Sequence, residues 1–157
     1  MFLLLALTGA VVAYAQSTQQ VTVNGVIPVL MNLTVDTNNV LLNFSQADYQ
    51  ADGTAFKVTS NTRWRLYVSA NSQKFSFNPS SGGQDPNKNA GDLSLSPITP
   101  SNYFAVTTGT KDIANGSAGG NNEQGHTIPV SYKLNTTLIG DPPGTYTLVL
   151  TYTLMPQ

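Results

Sequence analysis

The sequence has no cysteine and few charged side chains, and both absences narrow what the chain can be. Without cysteine, disulfide bonds, thiol catalysis and cysteine-ligated metal sites are excluded. Charged residues make up 10% of the 157 residues and the net charge is −1. Typical soluble domains carry about a quarter charged residues. The chain therefore offers no basic surface for nucleic acid, and we expect no nucleic-acid partner.

Histidine is almost absent too, since His126 is the only one. A serine–histidine–acid triad needs a positioned nucleophile, and the chain has no Gly-x-Ser-x-Gly motif. A single histidine without cysteine cannot supply the usual three or four protein ligands of a zinc site. We therefore expect no enzymatic activity and no cofactor.

One stretch resembles part of a calcium loop. Asp85, Asn87 and Asn89 stand at alternate positions, as the first ligands of such a loop do. The glycine that follows comes one position late, and the acidic residue that normally closes the loop is missing. Calcium binding at residues 85–92 is left open at this point.

The N-terminus is an apolar run that is too short for a membrane span of about twenty residues. Ala13 and Ala15 match the small-x-small cleavage pattern of secretory signals. We interpret residues 1–15 as a signal peptide, so that the mature chain is secreted and has no membrane contact after cleavage. A short retained anchor or a hydrophobic first strand is the alternative.

The most regular pattern of all occupies residues 144–155 near the C-terminus. Apolar residues take every second position, and threonines fill most of the positions between them. Because side chains alternate faces along a strand, the pattern predicts one long strand with an apolar face that needs a partner sheet. The apolar positions are Tyr146, Leu148, Leu150, Tyr152 and Leu154.

Shorter alternations recur along the chain and set the predicted fold class. No amphipathic helical pattern follows residue 16, whereas about eight to ten short strands separated by turns are expected. Residues 31–157 are therefore predicted to form an all-β, immunoglobulin-like or jelly-roll β-sandwich. The strands are expected around residues 31–35, 40–44, 56–58, 64–70, 75–77, 93–95, 103–107 and 128–134, with turns at 36–39, 50–53 and 141–144 and long loops at 78–92 and 109–126.

Residues 21–29 form a further extended pattern. Val21, Val23, Ile27 and Val29 alternate, with Gly25 in the same register. Pro28 lacks a backbone N–H, which favours an edge or terminal strand. An extended segment of this kind can add to the open sheet of a neighbouring molecule, with its alternate side chains filling pockets. We take residues 16–30 as a candidate donor-strand segment; the alternative is that they form the first strand of their own sandwich.

Four Asn-x-Ser/Thr sequons occur in the sequence. In an exported chain each is a possible N-glycosylation site. Because it falls in the predicted loop 109–126, Asn115 is expected to be the most accessible. The four are Asn32, Asn43, Asn115 and Asn135.

Several of these stretches resemble a known family. Residues 40–44 and 53–60, followed by Asn61-Thr-Arg-Trp-Arg-Leu-Tyr-Val68, look like the first half of spore coat protein U-type pilin domains. Ile128-Pro-Val-Ser-Tyr-Lys-Leu134 and residues 143–152 are similar to the last two strands of those domains. The overall layout also looks, more loosely, like TasA-type fibre proteins and archaeal bundling pili.

The resemblance implies an immunoglobulin-like sandwich that polymerises by donor-strand complementation. On that reading the chain is a pilin-like structural subunit of a cell-surface filament, and its partner is a second copy in a head-to-tail homopolymer. The alternative is a monomeric cell-surface adhesin or carbohydrate-binding module that acts through the loops 78–92 and 109–126.

Overall fold

The computed structural model describes residues 19–42, 50–97, 102–118, 125–134 and 141–157. Within these ranges the chain is built from antiparallel strands, and the only helical element is a 3₁₀ turn at Ala90–Asp92. The strands are β1 Met31–Val35, β2 Gln50–Ser60, β3 Trp64–Ala70, β4 Ser76–Pro79, β5 Leu93–Pro97, β6 Phe104–Ala105, β7 Lys111–Gly116, β8 His126–Leu134, β9 Gly144–Thr147 and β10 Leu150–Pro156.

The strands form the two layers of a β-sandwich, which confirms the predicted fold class. One layer is a five-stranded sheet in the order β1-β2-β8-β5-β6, and the other is a three-stranded sheet in the order β10-β3-β7. β4 and β9 pair with each other at one end of the second layer. A hydrogen bond of 2.9 Å from the Asn71 N–H to the Val149 C=O joins this pair to the β3–β10 ladder.

The inward faces of the central strands form the core. As the alternation predicted, Trp64, Leu66, Val68 and Ala70 of β3 are buried, while Arg63 and Arg65 are exposed. The same alternation holds along β8. Its buried positions are Ile128, Val130, Tyr132 and Leu134.

The C-terminal strand keeps its predicted alternation but is divided into β9 and β10. Leu148 and Val149 lie between the two strands. β9 pairs with β4, whereas β10 pairs with β3, and residues 71–75 separate those two partners along the chain. The ladder is therefore interrupted where the terminal strand passes from one partner to the other.

The predicted turn at residues 50–53 is wrong, since these residues begin β2. The pairing of β2 with β8 shifts register between Asp52 and Thr54, so Gly53 lies at a β-bulge. A side chain at this position would collide with the ring of Tyr132. Glycine at position 53 therefore allows a β-bulge and close packing of the backbone against Tyr132, and it does not form a turn.

The predicted loop at residues 109–126 also contains a strand, β7, which pairs with the edge of β3. Its one buried apolar residue is Ile113, and the register shifts beside it. Because a bulge breaks the period of two, local alternation gives little sign of this strand.

The short strand expected at residues 40–44 is not formed by its described part. Residues 40–42 lie in no strand, and residues 43 and 44 lie outside the described ranges. Val40 and Leu42 are half-buried and pack against the core. Their apolar side chains therefore serve packing without a ladder partner.

Contacts between the layers show how the two sheets overlap. The rings of Phe56 in β2 and Tyr152 in β10 have centroids 4.2 Å apart, and those of Trp64 in β3 and His126 in β8 are 5.7 Å apart. β7 lies next to β5. The three-stranded layer thus covers β2, β8 and β5, and β10 is the strand of that layer that lies nearest to β1.

Candidate assembly interface

The candidate donor segment is the most exposed apolar stretch of the described chain. Residues 19–30 lie in no strand, and all of them are exposed. Val21, Val23 and Ile27 are 86%, 87% and 83% exposed, and a Cβ atom built on Gly25 would meet nothing within 4 Å. A strand requires a hydrogen-bonded neighbour, and residues 19–29 have no strand partner among the described residues. The segment therefore keeps its apolar row unpaired, which differs from the edge or terminal strand that its pattern predicted.

Described residues hold the segment where it enters β1. The Asn61 N–H donates to the Leu30 C=O at 3.1 Å, which extends the β1–β2 ladder by one residue. The Asn61 side chain then acts as a substitute for backbone. Its Oδ1 accepts from the Leu30 N–H at 2.8 Å, and its Nδ2 donates to the Pro28 C=O at 2.8 Å. The sequence gives no signal for this role, because Asn61 is 31 residues away from Leu30 along the chain.

The apolar row of the terminal strand is only half covered. All five of its predicted inward positions pack against the core, but none is fully buried. The positions between them are exposed. The half-buried row is Tyr146, Leu148, Leu150, Tyr152 and Leu154.

The same incomplete coverage extends to β1. Met31 and Leu33 point toward the core but remain half-buried, and Val35 is exposed. β1 pairs with β2 and β10 pairs with β3, so that within the described ranges each has one free edge. We call this the β1–β10 side. It is defined by Met31 and Leu33 of β1 and by Leu150, Tyr152 and Leu154 of β10.

Neither the candidate donor segment nor the two strands of the β1–β10 side carry charged residues. Residues 19–30, β1 and β10 contain no Asp, Glu, Lys or Arg. Free edges of sheets usually bear charged residues or other devices that prevent pairing with another chain. The edge of β10 has no such charge along its length, and an uncharged apolar strand is its electrostatic match.

The candidate calcium loop is stabilised by hydrogen bonds of its own. Asp85 Oδ1 accepts from the Asn87 N–H at 2.8 Å, and Asn87 Oδ1 accepts from Lys74 Nζ at 2.8 Å. Asn87 has a left-handed backbone with φ of 56°. The third position, Asn89, forms a β-bridge with Lys74.

A lysine occupies the middle of this loop. Lys88 is buried, and its Nζ lies 2.5 Å from Asp141 Oδ2 and 3.9 Å from Asp92 Oδ2. This ion pair ties the loop to the turn before β9, and the ammonium occupies the position where the acidic oxygens meet. In the described part of the chain no three acidic or histidine side chains come together as metal ligands.

His126 lies at the start of β8, beside a cavity of about 550 Å³ between the layers. The indole Nε1 of Trp64 is buried there without a hydrogen-bond partner in the structure. The lining side chains are Trp64, Asp112, Ile113, Ala114, Asn115, His126, Thr127 and Ile128.

Two of the four sequons fall in the described ranges. Asn32 is exposed in β1 and Asn115 is exposed in β7, so Asn115 belongs to a strand rather than to the predicted loop. Asn43 and Asn135 lie outside the described residues.

Comparisons with known proteins leave the family of the chain open. No family model matches the sequence, and no curated protein matches it. Across the described ranges, no helix is both long and apolar enough to traverse a bilayer.

Proposed function

We propose that the chain is a structural subunit of an extracellular filament, in which residues 19–30 of one copy add to the free edge of β10 in the next. The observation that carries the proposal is the presence, in one chain, of an exposed uncharged apolar segment and a half-covered uncharged sheet edge. Main-chain hydrogen bonds along the edge would give affinity, and the alternate side chains would set the register.

The overlap of the two layers supports the β10 edge as the acceptor. Because β10 covers β2, a fourth strand beside β10 would lie over β1. Its inward side chains would then cover Met31 and Leu33, together with the open flank of the β10 row. One added strand would complete the core on the β1–β10 side.

Stable assembly requires both the burial of the donor side chains and the main-chain hydrogen bonds. Full burial of four Val or Ile side chains contributes roughly 6–12 kcal/mol. Association costs about 4–15 kcal/mol in lost freedom of motion. Since the two ranges overlap, the apolar row alone gives weak assembly, and the main-chain ladder along β10 supplies the remainder. A contact between different surfaces of identical copies does not close on itself, and so it propagates as a filament.

The test is negative-stain electron microscopy of the chain from residue 16, beside a matched chain that lacks residues 16–30. We expect filaments from the first and folded monomers from the second, with circular dichroism reporting the fold. Filaments from both chains would rule out strand donation. Monomers from both, with the shorter chain unstable, would mean that the segment completes its own sandwich.

A second candidate function is ligand binding by a monomeric surface adhesin or carbohydrate-binding module, and the cavity beside Trp64 and His126 favours it. The cavity is lined by the indole ring of Trp64 and by the exposed imidazole of His126. A glycan-binding screen on the chain that lacks residues 16–30 separates this function from assembly. Binding that is lost in His126→Ala would support the module, and no binding to any glycan would leave strand donation as the single candidate.

A further inference from the structure

The donor segment starts immediately before β1, which creates a competition between two acceptors. Residues 21–27 could reach the β1–β10 side of their own subunit by reversing direction just ahead of Met31. The reversal would have to occur at residues 28–30, because only these residues lie between Ile27 and the first residue of β1. A tethered segment has an effective concentration in the millimolar range for a short flexible connection, far above that of a second copy in dilute solution. Unless the reversal is prevented, self-insertion prevails.

Asn61 holds the residues that such a reversal would need. Its side-chain amide accepts from the Leu30 N–H and donates to the Pro28 C=O, each at 2.8 Å. A turn at residues 28–30 would break both bonds, because it changes the direction in which these backbone groups point. Pro28 adds stiffness, since its ring fixes φ and biases Ile27 toward extended backbone. The chain is thus held as a continuation of β1 rather than turned back onto the β1–β10 side.

We propose that Asn61 is a positioning residue that directs residues 19–29 away from the β1–β10 side of their own subunit, so that they insert into a second copy. This inference rests on the proposed function and deepens it. The hydrogen bonds of Asn61 to this segment go to the backbone of Pro28 and Leu30, so that it acts through their backbone rather than through the apolar side chains. It decides between a self-filled monomer and a growing filament.

The test compares full-chain variants that remove the clamp in steps. Asn61→Asp has the same shape but loses the donor to Pro28, and Asn61→Ala loses both side-chain bonds. Each lost bond should shift the ratio of filament to monomer by about five-fold toward monomer. Asn78→Asp makes the same charge change on the exposed strand β4 and should assemble as the unmodified chain does.

The deciding measurement is the capture of a fluorescent peptide of residues 19–30 by monomers isolated at low concentration. Monomers of the unmodified chain have an open β1–β10 side and bind the peptide. Monomers of Asn61→Asp are self-filled and bind it at least about five-fold more weakly, although circular dichroism shows them folded. A merely structural loss would not produce a folded monomer with a filled edge.

Two results overturn the inference while the proposed function stands: normal filament yield from Asn61→Asp and Asn61→Ala, or variant monomers that capture the peptide as well as the unmodified chain. If the unmodified chain forms no filaments and its monomers capture no peptide, the proposed function itself fails.

Discussion

The hydroxyl of Tyr132 lies 2.7 Å from the hydroxyl of Tyr152, so that one hydrogen bond joins central strand β8 of one layer to edge strand β10 of the other. The ring of Tyr152 also packs against Phe56 of β2. Burial raises the pKa of both tyrosine hydroxyls above the ordinary value. The pair is therefore neutral at physiological pH, and it fixes β10 over the core. Among the described residues, the edge of β10 away from β3 has no strand neighbour.

Removing this hydrogen bond should destabilise the subunit. Tyr152→Phe keeps the ring packing but leaves the hydroxyl of Tyr132 without its partner, and we expect a loss of about 1–3 kcal/mol in the free energy of unfolding. Tyr67→Phe on the outward face of β3 is the matched control and should change little. Urea denaturation measures both, and equal stability of the Tyr152→Phe variant would contradict the importance of the pair.

The same tyrosines predict a loss of stability in alkaline solution. Their pKa values are raised in the folded state relative to the ordinary value of 10.0. Above that pH the unfolded chain releases protons that the folded chain retains, so stability is full below about pH 10 and falls as the pH rises further. Urea denaturation across pH 8–12 tests this, and the fall should be smaller in a double variant with phenylalanine at both positions.

Substitution by alanine should lower the stability of the subunit at one glycine and leave it unchanged at another. A methyl group at Gly53 would collide with the ring of Tyr132 and approach the Val130 C=O to 2.8 Å, and we expect Gly53→Ala to cost about 1–3 kcal/mol. Gly25→Ala meets open space and should leave the monomer as stable as before. Thermal unfolding of the two variants checks the prediction, and similar melting temperatures would show that the bulge tolerates a side chain.

Asp36 predicts how the subunit responds to acid. Hydrogen bonds from the Ala55 N–H and the Thr54 hydroxyl to its carboxylate hold the pKa of Asp36 below the usual value of 3.8. Because the folded-state pKa is lowered, the contribution to stability is present above the unfolded value and is lost as the pH falls through the folded value. Asp36→Asn should be less stable than the unmodified chain at neutral pH and lose less stability below pH about 4. Denaturation curves at pH 2–7 give both quantities, and parallel curves would contradict the prediction.

The alternation of the donor segment can be tested with two neighbouring residues. If residues 21–29 insert as a strand, Ile27 faces the core of the acceptor and Val26 faces solvent. Ile27→Asp should abolish filaments, because it would bury a charge without a partner, whereas Val26→Asp should assemble nearly normally. Both side chains are exposed in the single chain, at 83% and 93%, so neither change should affect the stability of the monomer. Equal loss of assembly in the two variants would argue against insertion as a strand.

Much of the sandwich could be predicted from local pattern. The inward rows of β3, β8 and the terminal strand follow the predicted positions, from Trp64 to Ala70 and from Ile128 to Leu134. Where the period of two is interrupted, prediction failed. The bulge at Gly53 resembled a turn, and β7 has one buried anchor, Ile113, beside a register shift.

Of the two parts of the candidate interface, one could be predicted from the sequence and the other could not. The donor row at residues 21–29 is visible in the sequence, because apolar alternation is a property of neighbouring residues. The acceptor is not visible there. Tyr152 and Leu154 have the same pattern as any buried row, and only their half-buried state in the fold distinguishes them.

From its amino acids alone, then, this chain is a cysteine-free β-protein with few charges, and each of its regular strands has a known inward face. These properties are local, since they depend on composition and on side chains that alternate along a strand. The fold adds three things: which strands are neighbours, the half-buried state of the β1–β10 side within the described ranges, and the hydrogen bond between the Asn61 side chain and Leu30. These depend on contacts between residues far apart in the chain, and no local pattern encodes them.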